Sequence, residues 1–152
     1  AFERTKQGGY AMYALDTRLA QAPERLTINA NLSSPSVAVY DHWLAFVSGN
    51  TVLRKTVGKA NLFVLDSNFI GSPKGCSSSI QKIASEMSPE DNLSWSPDGR
   101  WLAFVTIVER KSQLNLLDTT CILEGLDCMN YIHTLPITSA RYIRPVWRPY
   151  IH

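Results

Sequence analysis

No apolar run in the sequence approaches the roughly 20 residues that a membrane-crossing helix needs. Charge of one sign is also lacking: fifteen Lys and Arg stand against thirteen Asp and Glu, a net of +2. Without a basic stripe, nucleic acid and anionic membranes are not expected partners. Long stretches of 3.6-residue apolar spacing and paired helix caps are missing too, which disfavours a helical solenoid. Neither the HExxH pattern of zinc hydrolases nor the GxSxG elbow of serine hydrolases occurs. The opening residues carry none of the basic, apolar and small-residue sections of a secretory leader. They read AFERT, without Met and as if inside a strand, so the expectation is a fragment of a longer chain.

What the sequence has is a globular composition, 45% hydrophobic and 18% charged over 152 residues. A chain of that length can bury roughly 70% of its unfolded surface. It also repeats itself. WLAFVS at residues 43–48 has a near copy, WLAFVT, at residues 101–106, and AFER at the start is a third echo. Downstream of each lies an apolar strand ending in Asp16, Asp66 or Asp118, spaced by 50 and 52 residues. A fixed period in that range marks units that bury their faces only by stacking on one another.

Within a unit the runs are short, apolar or aromatic, and bounded by turn formers, as in strands covered on both faces. Ser96-Pro97-Asp98-Gly99 reads as a hairpin turn: Pro97 presets φ, Asp98 bonds back to the backbone and Gly99 accepts positive φ. Weaker strands follow near residues 26, 82 and 134, making four per unit. Four-stranded antiparallel units of this length fit the blades of a β-propeller.

The phrase LSWSPDGRWLAFVT followed by LNLLD resembles the WD-like repeat of TolB-type β-propellers. The match is good over residues 92–118 and partial over 35–66, which lack the Trp-Ser-Pro-Asp-Gly turn. Residues 1–27 contain only the later three strands, and IRPVWRP at 143–149 resembles the start of a further repeat. The expected organisation is an all-β partial propeller: an incomplete blade over 1–32, blades over 33–88 and 89–140, and over 141–152 the first strand of a further blade or a ring closure. Propellers close with about four to eight blades. Either this chain is part of a longer propeller, or two or more chains complete a ring.

Alignment of the units on their aspartates places Cys76 at the position of Cys128 and Phe69 at that of Cys121. The arrangement predicts a structural Cys121–Cys128 disulfide with Cys76 left over, and with it an oxidising, extracytoplasmic location, periplasmic or cell-surface. Two free thiols in a reducing compartment are the alternative. His42, His133 and His152 stand apart from any ligand set or triad and read as structural or solvent-facing. Asp98 reads as a turn residue rather than an acid. Asn31 and Asn92 open glycosylation sequons but read as turn formers. Trp43, Trp95, Trp101 and Trp147 occupy repeat positions and read as packing rather than a sugar platform. ERKSQ at 109–113 reads as an exposed hairpin tip, a place for a partner contact.

No catalytic residue, metal ligand or cofactor is expected. The resemblance implies a non-enzymatic, extracytoplasmic scaffold that binds protein partners through its loops. Two alternatives stay open: the regulatory propeller of a prolyl-oligopeptidase-type hydrolase whose catalytic domain is missing, and the ligand-sensing propeller of a membrane-anchored signalling protein.

Overall fold

The computed structural model describes residues 2–4, 10–14, 22, 24–25, 37–49, 60–69, 80–87, 93–108, 111–136 and 145–148. Over these residues the chain is all-β, with one short α-helix. Strands β1 (Phe2–Arg4), β2 (Tyr10–Ala14) and β3 (Glu24–Arg25) form an antiparallel sheet in the order β1-β2-β3. Strands β4 (Val37–Tyr40), β5 (Trp43–Gly49), β6 (Ala60–Asp66) and β7 (Ile80–Met87) form a four-stranded antiparallel meander. Strands β8 (Ser94–Trp95), β9 (Trp101–Val108), β10 (Lys111–Asp118) and β11 (Ile132–Pro136) form a second. One bridge, between Met87 and Thr106, links the two meanders at their edges, so they are two sheets rather than one continuous surface.

The two echoed phrases form β5 and β9, and they turn opposite faces to a shared core. Ala45 and Val47 of β5 enter that core with Leu62 and Val64 of β6. From the other sheet come Leu102, Phe104 and Leu117, which stand at the positions of Leu44, Phe46 and Leu65 in the repeat. A shift of one residue in a strand reverses the face, so the sheets stack head to tail rather than as mirror partners. On the reverse of the first sheet Phe46 is 2% exposed and stacks on Phe63 at 5.6 Å. The two central strands, β5 and β6, are therefore buried on both faces, which is why they are apolar without alternation.

Polar contacts pin the stack. The Trp95 indole Nε1 donates to the Ala38 carbonyl at 3.2 Å, from the first strand of one sheet to the first strand of the next. Asn115, opposite Phe104 in the ladder, is 4% exposed. Its Nδ2 donates to Thr106 Oγ1 at 2.9 Å, and its Oδ1 accepts from Thr134 Oγ1 at 2.8 Å, so β9, β10 and β11 share one polar rung.

Cys121 and Cys128 are joined in a disulfide with Cα atoms 5.2 Å apart, and both lie in the inter-sheet core. The segment they close contains helix α1 (Thr120–Glu124), which Gly125 ends in the left-handed conformation at φ +66°. No pattern in the sequence marks this helix, because five residues are too short to display a 3.6-residue period. Cys76 lies outside the described residues. The hairpin tip expected over 109–113 is shorter than that: Lys111, Ser112 and Gln113 belong to β10 and pair with β9, and Ser112 is buried. Residues 109 and 110 lie outside the described set.

Candidate functional site

At one end of the two sheets the β4–β5 turn, the β8–β9 turn and the start of α1 come together around a cleft of about 340 Å³. Each wall has a local cause. Tyr40 pairs with Trp43 across a two-residue turn, Asp41-His42, in which Asp41 takes φ +50°. Aspartate is among the few residues that tolerate this region. The turn is held from behind by the Ser67 amide, which donates to the His42 carbonyl at 2.7 Å.

The opposite wall is the Ser96–Gly99 turn. The Gly99 amide donates to the Ser96 carbonyl at 2.9 Å, closing a β-turn. The Arg100 amide donates to Asp98 Oδ1 at 3.1 Å, and the Trp101 amide to Ser96 Oγ at 2.8 Å. Gly99 sits at φ +70°. Hydrogen bonds from the Ser96 hydroxyl, and then from the Arg100 amide, hold the Asp98 carboxyl below the usual carboxylate range. Asp98 is thus an ionised turn anchor at the cleft rim.

The third wall follows β10. Asp118 Oδ1 accepts from the Thr120 hydroxyl at 2.6 Å and from the Thr120 amide at 3.1 Å. Asp66, its repeat equivalent, accepts from the Asn68 amide at 2.9 Å. In both four-stranded meanders the recurring aspartate therefore ends the third strand with an Asx turn; Asp16 lies outside the described residues. The Thr120 hydroxyl is the main cause that lowers the Asp118 carboxyl from its ordinary value; partial burial opposes this, and the Thr120 amide and Arg100 add to it. The Arg100 guanidinium lies 3.6 Å from Asp118 and 5.5 Å from the centre of the Trp101 ring. Thr119 Oγ1, set to donate, lies 2.8 Å from the Gly99 carbonyl and 3.0 Å from that of Arg100, which ties this wall to the turn.

The cleft is lined by aromatic surface with charged groups at its margin. Tyr40 and Trp95 face each other at 6.0 Å, and His42 and Trp43 at 5.0 Å. His42 Nδ1 lies 2.7 Å from Asp41 Oδ2. Among the described residues no group of three His, Cys, Asp or Glu is arranged to hold a metal ion. Likewise, no described helix is long and apolar enough to cross a membrane.

Of the residues singled out in the sequence, the cleft gathers His42, Trp43, Trp95, Asp98 and Gly99. Pro97 is exposed at the tip of the same turn. Trp101 lies outside the cleft with His133 packed edge-on at 5.7 Å. Trp147 donates to the Ser94 carbonyl at 2.9 Å, away from the cleft. Asn31, Asn92 and His152 lie outside the described residues. Sequence reasoning missed Tyr40, Asp41, Arg100, Thr119, Thr120 and Leu123. The signal that could have found the first three is the repeat itself, because Asp41-His42 and Pro97–Arg100 connect equivalent strands in successive units, with two residues in one and four in the other. No family model matches the chain, and neither does any curated protein or solved structure.

Proposed function

We propose that the chain is part of a TolB-type β-propeller and works as a non-catalytic interaction scaffold outside the cytoplasm, holding an extended segment of a protein partner in the turn-end cleft. The observation that carries this reading is the head-to-tail stack. Near-identical strands β5 and β9 turn alternate faces to one core, and a stack built this way continues in the same sense from each sheet to the next. Closure into a ring is the solution that hides the terminal faces. A ring of about four to eight sheets needs more of them than this chain describes, from the same polypeptide or from other copies.

The cleft supports binding over turnover. Its rings offer rigid contact area at low entropic cost, and Asp41, Asp98 and Arg100 offer directional polar groups on loops fixed by the sheets. The buried Cys121–Cys128 bond supports an oxidising compartment. A photo-reactive residue at Leu123, which is 68% exposed at the cleft, tests the reading against one at Val108, 42% exposed at the far end of β9. Irradiation in the producing cells is expected to yield one discrete protein adduct from Leu123 and none from Val108. Equal labelling at both positions, or none at the cleft, overturns the scaffold role.

A further inference from the structure

Each of the two turns at the cleft ends on a basic or titratable side chain set against the tryptophan that follows it. In the second meander this is Arg100, which lies 5.5 Å from the centre of the Trp101 ring and 3.6 Å from Asp118. In the first meander the same place, before Trp43, belongs to His42, whose ring lies 5.0 Å from that of Trp43. An imidazole carries no charge unless protonated, and His42 Nδ1 meets Asp41 Oδ2 at 2.7 Å. One unit thus supplies its own guanidinium to an indole and a carboxylate. The other, among the described residues, offers an indole and a carboxylate without a permanent cation.

That shortfall lies in the cleft. Among the described residues its lining sets two carboxylates, Asp41 and Asp98, against one permanent cation, Arg100, which Asp118 already matches. The bonds from Ser96 and from the Arg100 amide both fall on Asp98 Oδ1 and favour its ionised form. Asp41 stands 71% exposed on the other turn, so the two carboxylates come from different walls. The same lining brings Tyr40 and Trp95 within 6.0 Å of each other, tilted by 33°, and adds the ring of Trp43. Trp95 gives its only N–H to the Ala38 carbonyl, so its π-surface is what remains for a ligand. Aromatic rings attract cations through their quadrupole and carboxylates do so through charge. Both kinds of group disfavour an acidic occupant.

From this charge complementarity we propose that the cleft seats one arginine side chain of the partner's extended segment. The proposal rests on the scaffold reading above and names what that segment must carry. A guanidinium suits these walls better than an ammonium. It is flat and lies against aromatic rings, its fork of donors reaches carboxylates on two sides, and its weaker hydration costs less to give up on an aromatic surface. Its methylene stem packs on apolar neighbours, which Ile122 and the 68% exposed Leu123 provide at the same cleft. Arg100, held between Trp101 and Asp118, shows the same recognition within the chain itself.

Short glycine-serine peptides, capped at both ends and carrying arginine, lysine or citrulline at the centre, test the proposal by titration of tryptophan fluorescence. The arginine peptide is expected to bind saturably. Citrulline, which keeps the shape and loses the charge, should bind about tenfold more weakly or worse, with lysine in between. Asp41→Asn should weaken the arginine peptide about threefold or more and leave the citrulline peptide unchanged. Asparagine tolerates the φ of +50° at this position as aspartate does, so the turn is kept. Asp98→Asn, read beside its melting temperature, should act in the same sense. An arginine peptide that binds no tighter than citrulline, or that keeps full affinity in both variants, overturns the proposal. Photo-crosslinking from Leu123 in the producing cells separates it from the reading on which it rests. An adduct together with peptides that bind alike removes only the arginine; peptides that differ as expected, without an adduct, keep the guanidinium site and remove the scaffold role.

Discussion

The ring of Tyr40 fills the space that a Cβ on Gly99 would need, so the turn of one unit is shaped to the aromatic side chain of the preceding one. Gly99 also sits at φ +70°, where L side chains are strained. Gly99→Ala is expected to cost about 1 to 3 kcal/mol in urea denaturation, with Gly99→Val at the upper end or beyond. The two causes separate in a double-mutant cycle. In a Tyr40→Ala background only the backbone strain of about 1 kcal/mol should remain. Equal penalties in both backgrounds would show that the ring does not rest on the turn.

Asn115 occupies the position that Phe63 holds in the preceding unit, and it is 4% exposed. Its amide satisfies the Thr106 and Thr134 hydroxyls at once. Asn115→Ala should destabilise by about 1 kcal/mol, since it removes the buried amide that joins the half-buried Thr106 hydroxyl to that of Thr134 at the exposed edge strand. Replacing the three together by Val, Leu and Val should recover much of that loss. If the single variant is neutral by thermal denaturation, the rung is solvated and contributes nothing.

Both meanders could be read from the chain because their strands are continuous apolar runs that repeat, and a repeat exposes its boundaries even where propensity does not. The Cys121–Cys128 pairing was legible for the same reason, through aligned units. Helix α1 was not, because fewer than two turns carry no period. The cleft was legible only in fragments. Tyr40 and Gly99 lie far apart in sequence and meet only because the sheets stack, and a lone Arg100 after a glycine looks like any solvated charge. Asn115 was silent because its partners sit on β9 and β11, and no local pattern in β10 announces them.

Acid should weaken the fold through Asp118. Thr120 and Arg100 favour its ionised form, so its folded value lies below that of the unfolded chain, near 3.9. A carboxyl lowered on folding contributes stability that is full above that unfolded value and fades as pH falls through the folded one. The melting temperature should therefore hold from pH 7 to about 5 and drop below about pH 4. Asp118→Asn, which can still accept the Thr120 amide, should start lower at pH 7 and decline less steeply in acid. Parallel pH profiles for parent and variant would remove Asp118 from the account.

The disulfide bears both on stability and on the compartment in which the protein works. Cys121 is 0% and Cys128 2% exposed, and the loop between them carries α1 against the inter-sheet core. Gln81 of the first sheet reaches this loop, with Nε2 3.4 Å from the Leu126 carbonyl. Opening the bond should therefore loosen the seam between the sheets as well as the loop. On chain-entropy grounds closure of so short a loop is worth about 2 to 3 kcal/mol. Alanine is the cleaner replacement, because serine would bury two hydroxyls among apolar neighbours. Cys121→Ala/Cys128→Ala should lower the unfolding free energy by at least that amount and raise amide exchange in β7 near Gln81. The parent should resist alkylation at both positions until it is unfolded and reduced. Ready labelling of native protein from its own compartment would show two thiols there, and would remove the reason for placing the scaffold outside the cytoplasm.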